Sequence, residues 1–149
     1  MREKFTSELK AAMKAGDKRR VETVRMIMAA LKDKDIEARG QGKALGEDDI
    51  LAMLQKMVKS RQESVGIYEK AGRNDLVAQE REEIGIIQSF LPKPLSEAEA
   101  EAAVAAAIAE AKASSVKDMG KVVSLLKAKY AGRMDFAKAS ALVKQKLGA

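Results

Sequence analysis

The 149-residue chain has no cysteine, no histidine and no tryptophan. Without thiols it can form neither disulfides nor a thiolate nucleophile. Without imidazole it lacks the side chain that titrates near neutral pH. The usual Cys/His zinc ligands are also missing, so no metal site and no cofactor is expected. Aromatic residues make up 3% of the chain, and there are only two prolines. No apolar run approaches the roughly 20 residues needed to cross a bilayer, so no membrane partner is expected. The opening "MREKFTSELK" has no apolar signal-peptide core. On these grounds a cytoplasmic location is expected.

What is abundant is charge and helix-forming residues. Charged side chains account for 34% of the chain and hydrophobic ones for 46%, a globular balance rather than a disordered one. The net charge of +6 is unevenly spread. Residues 1–91 hold 18 basic and 16 acidic side chains. Residues 96–110 hold four glutamates and no base, whereas residues 111–149 hold nine bases and two acids. The positive charge therefore collects at the C-terminal end.

Apolar residues recur at spacings of three and four, and no period-two run appears. The pattern predicts helices over about 2–15, 18–39, 47–70 and 74–90. Their inward residues are expected to include Phe5, Leu9, Ala12, Met13, Val24, Leu31, Leu54 and Ile87. "FLPKPLSEAEAE" then breaks the pattern with both prolines, after which Ser96 and Glu99 form a capping box. Helices are predicted over about 96–112, from Ser115 to Tyr130, and 135–147. The expected fold is all-α, with an N-terminal four-helix domain (1–91), a proline linker (92–95) and a C-terminal three-helix domain (96–149).

Several short motifs invite chemistry, but most have plainer readings. Gly120-Lys121 lacks the glycine-rich loop before a helix that a phosphate loop needs. Gly120 is assigned to close helix packing. Ser115 and Lys117 have the residue types of a Ser–Lys hydrolase, but Ser115 is better placed as a helix cap. Glu47, Asp48 and Asp49 match the positive end of a helix dipole. No inward-facing carboxylate pair is apparent. Arg61 falls on an apolar stripe, where a snorkelling stem at the stripe's edge is expected. No catalytic residue is assigned.

The basic cluster is the main candidate site. Lys117, Lys121, Lys127, Lys129, Arg133, Lys138, Lys144 and Lys146 fall on two helices and the turn between them. Charge runs are commonly solvated faces, yet only two acids stand among these cations. A phosphate-binding surface is as good a reading as a solvated one. Tyr130 and Phe136, the aromatics of this region, are expected to point inward, which disfavours base stacking.

Three blocks carry a family resemblance: "VRMIMAALKDKDIE", the long stretch from "LQKMVKSRQESVGIYEKAGRNDL" to "FLPKPLSEAE", and "SSVKDMGKVVSLLKAKYAGRMD". Together they resemble the GatB/YqeY family over essentially the whole chain. In that family a helical domain of this kind forms the tail of the GatB subunit of the tRNA-dependent amidotransferase. The resemblance implies a tail that contacts tRNA while the chemistry lies elsewhere. The family's Gly-Lys motif matches Gly120 and Lys121, and its Gly-Lys/Arg turn matches Gly132 and Arg133. Met134 and Phe136 stand where the family has small residues.

Three functions compete on this reading. One is an accessory protein binding tRNA or another structured RNA through the basic cluster, with Lys59 and Arg61 as secondary candidates. The second is a carbon–nitrogen ligase subunit using glutamine as amide donor within a complex. The third is a helical protein–protein adaptor. The partners expected are tRNA or other structured RNA, together with amidotransferase or aminoacyl-tRNA synthetase components.

Overall fold

The computed structural model of the chain describes residues 1–148. It contains α1 (Arg2–Ala15), α2 (Lys18–Gly40), α3 (Glu47–Lys70), α4 (Asn74–Gln88), α5 (Glu97–Ala111), α6 (Met119–Tyr130) and α7 (Phe136–Lys146). One turn of 3-10 helix, Val116–Asp118, precedes α6. No strand occurs among the described residues, and the all-α expectation holds. The chain divides into two compact units, one ending at Leu91 and the other beginning at Pro92.

In the first unit, turn chemistry sets the helix ends. Gly16 sits at φ +68°, a left-handed conformation that glycine adopts without Cβ strain. The Gly16 and Asp17 amides there donate to the Met13 and Ala12 carbonyls at 3.3 and 3.0 Å. The Asp17 carboxylate then caps α2 by accepting from the Arg20 amide at 3.2 Å. At the start of α3, Asp49 accepts from the Gly46 amide at 2.8 Å, and Glu47, Asp48 and Asp49 fill the first turn.

α3 and α4 form the broadest helix pair, and α2 packs on both α1 and α4. The core is aliphatic, built from Val24, Ile27, Leu54 and Ile87, all at 0% exposure. Phe5 and Phe90 close it, their rings meeting edge-on with centroids 5.0 Å apart. One expected core residue is misplaced: Met13 is 53% exposed. α1 packs chiefly on α2, along a narrow strip. That strip covers Ala12 but not its neighbour about 100° further around the helix.

The expected snorkelling of Arg61 is also corrected. Its head group turns inward: Nε donates to Glu83 Oε2 at 3.2 Å, and Nη1 donates to the Met57 carbonyl at 3.3 Å. The two side chains are only 13% and 9% exposed. Gln79 also donates to Glu83, at 3.4 Å, and Arg19 of α2 lies 3.9 Å from it. Three helices thus converge on one carboxylate. Glu83 escaped the sequence reading because it sits in an exposed-looking run, "EREE", with no motif around it. Against the expectation of no inward-facing carboxylate pair, Glu80, one turn earlier on α4, buries its Oε2 without a hydrogen-bond partner among the described residues. Burial pushes the Glu80 carboxyl above the usual carboxylate range, and the negative charge of Glu83 adds to the rise.

Two outcomes follow. Arg61 and Glu83 should behave as a coupled pair. Arg61→Ala or Glu83→Ala alone removes the nearest partner of a shielded charge, with Arg19 and Gln79 still within reach of Glu83, and should cost up to about 3–5 kcal/mol in chemical denaturation. The double variant should lose clearly less than the sum. Glu80→Gln should raise Tm at pH 7. The folded chain holds the Glu80 proton more tightly than the unfolded chain, so ionisation disfavours folding as pH rises through the folded pKa. The gain over the parent should therefore shrink as pH falls through the carboxylate range. A gain independent of pH would contradict this assignment.

Candidate nucleic-acid interface

The second unit is a three-helix arrangement in which α5, α6 and α7 pack pairwise. α5 starts in the predicted capping box: Ser96 Oγ accepts from the Glu99 amide, and Glu99 accepts from the Ser96 amide, both at 3.1 Å. α7 starts at Asp135, whose Oδ1 accepts from the Ala137 and Lys138 amides at 2.9 and 3.3 Å. The core is thin. Val104, Val122, Leu126 and Val143 are fully enclosed, with Ala103, Ala107, Ala139 and Met134 around them. Tyr130 and Phe136 pack against this cluster, as expected, so neither is displayed as a stacking platform.

The start of α6 differs from expectation. Ser115 makes no side-chain cap; a 3-10 turn intervenes and α6 begins at Met119. The group that organises this entry is Asp118, which accepts from the Ser114 amide at 3.0 Å. That bond holds the Asp118 carboxyl below its ordinary range. Because the helix begins late, Gly120 lies in its first turn. The packing role given to Gly120 also fails: a Cβ built there meets nothing within 4 Å. Gly120 and Lys121 border an open depression with Glu110, Ala111, Ser124 and Leu125.

The predicted cations divide into three groups. Lys129 is paired with Glu110 at 3.0 Å, which raises its pKa, and Lys146 is 3.5 Å from Glu101. Both acids belong to α5, the base-free segment, outside the stretch in which only two acids stand among the cations. Lys117, Lys121, Lys127, Lys138 and Lys144 are exposed and make no ion pair among the described residues. They do not form one stripe. At about 100° per residue, Lys127 projects roughly 120° away from Lys121 around α6. Lys117 and Lys121 do stand together at the start of α6, beside Gly120.

Arg133 forms the third group. It is half-buried in the turn between α6 and α7, where Gly132 adopts φ +77°. Its Nε donates to the Lys93 carbonyl at 2.8 Å, and its own carbonyl accepts from the Leu95 amide at 2.8 Å. Met134, set where the family has a small residue, is 6% exposed and fills the core under this turn. The secondary candidates separate as well. Lys59 is exposed on α3, whereas Arg61 is committed to Glu83. No group of acids able to hold a metal ion is present among the described residues, and none of their helices is long and apolar enough to cross a membrane.

Comparison with known proteins adds three facts. The chain is 36% identical over 110 residues to "Altered inheritance of mitochondria protein 41, mitochondrial" of Lachancea thermotolerans, covering 72% of this chain and 58% of the relative. It is 37% identical over 93 residues to the protein of that name from Eremothecium gossypii, covering 62% and 50%. It is 32% identical over 84 residues to one from Saccharomyces cerevisiae, covering 56% and 44%. The chain thus spans about half the length of the curated relatives it matches. Their names correct the cytoplasmic expectation, because each is called mitochondrial. The lack of an apolar signal core bears on secretory export and does not distinguish the compartments behind that barrier. The family model for the Yqey-like protein matches residues 2–147. With nearly every residue inside that match, the chain belongs to the Yqey-like protein family.

Proposed function

We propose that this protein binds structured RNA, tRNA foremost, through the phosphates, and that it catalyses no reaction by itself. The observation that carries this reading is Gly120. A glycine in a helix costs about 1 kcal/mol relative to alanine. Gly120 needs no positive φ, and a Cβ there would touch nothing. Neither backbone conformation nor packing accounts for it. What a bare Cα does provide is close approach of a phosphate to the backbone at the start of α6, at the positive end of its dipole, although the Met119 amide there already donates to the Val116 carbonyl. Lys117 and Lys121 flank that turn, exposed and without an ion pair.

The other uncommitted lysines support the same reading. They fan around α6 and α7 rather than lining a groove, an arrangement suited to the curved phosphate surface of a folded RNA. With Tyr130 and Phe136 half-buried and packed against the core, single-stranded bases find little to stack on. The resemblance to the amidotransferase tail supplies tRNA as the first RNA to try. The ligase-subunit reading would need catalytic groups from another chain. The adaptor reading draws on Ile36 and Ile67 of the first unit, which are 57% and 66% exposed.

Filter binding of a tRNA pool tests the proposal with two variants. Lys117→Glu/Lys121→Glu should weaken binding at least about tenfold, because two phosphate contacts become repulsions. Gly120→Ala should raise Tm, alanine being the better helix former, yet also weaken binding. A Gly120→Ala protein that is more stable and binds like the parent removes the argument from the glycine. If the double reversal also binds like the parent, the surface is only solvated and the adaptor reading takes its place. Reversal of Lys32 and Lys34 in the first unit is the control and should have little effect.

A further inference from the structure

Arg133 is the cation whose commitments the RNA reading leaves unexplained. The segment Pro92–Leu95 has only two backbone amides, since prolines carry none. One of these, Leu95 N–H, donates to the Arg133 carbonyl, and the Lys93 carbonyl accepts from Arg133 Nε. Among the described residues, these two bonds are the polar attachments of the strap to the rest of its unit. Both go to one residue, Arg133, 40 positions from Lys93. The backbone of that residue is itself fixed, since the Arg133 amide donates to the Tyr130 carbonyl at 2.9 Å across the Gly132 turn.

The guanidinium has a second edge. Nε is engaged, while Nη1 and Nη2 have no partner among the described residues. Glu99 is the acid that shares its electrostatic field, but no ion pair joins the two, and Glu99 Oε1 accepts from the Ser96 amide. An end-on guanidinium edge matches two phosphate oxygens in the forked geometry that distinguishes arginine from lysine. We propose that Arg133 is a two-sided clip: its carbonyl and Nε hold the strap Pro92–Leu95, and its Nη edge takes a phosphate, so that strap closure and phosphate binding favour each other. Holding Nε on the Lys93 carbonyl pre-orients the outer edge, which lowers the ordering cost of binding. Reciprocity then requires a bound phosphate to tighten the strap. The phosphate half rests on the RNA reading above; the strap half does not.

Hydrogen exchange at the Leu95 amide of the full chain separates the two, with the Leu126 amide reporting global opening. Without RNA, Arg133→Ala and Arg133→Lys should each speed Leu95 exchange about tenfold or more, the worth of a charge-assisted hydrogen bond, and leave Leu126 unchanged. Arg133→Lys guards against an Arg133→Ala protein that fails to fold. In the parent, saturating tRNA pool should slow Leu95 exchange several-fold. It should do so less in Arg133→Lys, which keeps the charge but loses the fork. If Leu95 exchange is unaltered in Arg133→Lys, the strap half is overturned whatever RNA does. If the pool binds yet leaves parental Leu95 exchange unaltered, the linkage is overturned while the RNA reading stands. If the pool does not bind, the RNA reading and the phosphate half fail together, and the strap half is judged on the variants alone.

Discussion

The thinness of the aliphatic core in the second unit governs what that unit can do. α5 offers mainly alanines with Val104 and the partly buried Ile108, and α6 and α7 fully bury only Val122, Leu126, Ala139 and Val143. Long charged side chains cannot be accommodated in so shallow an interior, and the lysines of α6 and α7 are turned outward. The acids available to neutralise them lie mainly on α5, where Glu110 and Glu101 take Lys129 and Lys146. What remains is an excess of exposed, unpaired positive charge. The packing that stabilises the fold also creates the surface proposed to meet RNA.

The first unit treats its charges differently. Arg61 and Glu83 are drawn into the contact of α3 with α4, and Arg19 reaches the same carboxylate from α2. A shielded pair of this kind seldom adds much net stability, because desolvation offsets attraction. It does penalise any helix register that leaves either partner alone. Glu80 lies beside it with a shielded, unpartnered oxygen, a cost the unit carries in its neutral-pH state. The charged residues of this unit therefore act mainly on its own architecture, in contrast to the lysines of the second.

Much of the fold was legible in the sequence because it is local. The seven helices and the Ser96–Glu99 box follow from spacing and capping within a few residues. Most of what was not legible depends on a partner distant in sequence. Met13 depends on how wide a strip α2 covers. Arg61 depends on Glu83, and Lys129 on Glu110. Arg133 depends on a carbonyl 40 residues away. Gly120 turned on where α6 begins, a matter of one 3-10 turn that Asp118 organises and that a Ser-first capping pattern conceals. The location went astray for another reason, since compartment is not encoded in the packing of a helical domain.

The central claim is that uncommitted cations of the second unit hold RNA phosphates. The affinity of the parent protein for a tRNA pool, measured from low to physiological salt, tests it most directly. Neutralising about four phosphates predicts a log–log slope of roughly −3 to −4, with tight binding at low salt. A slope near zero, or no binding even at low salt, would contradict the claim.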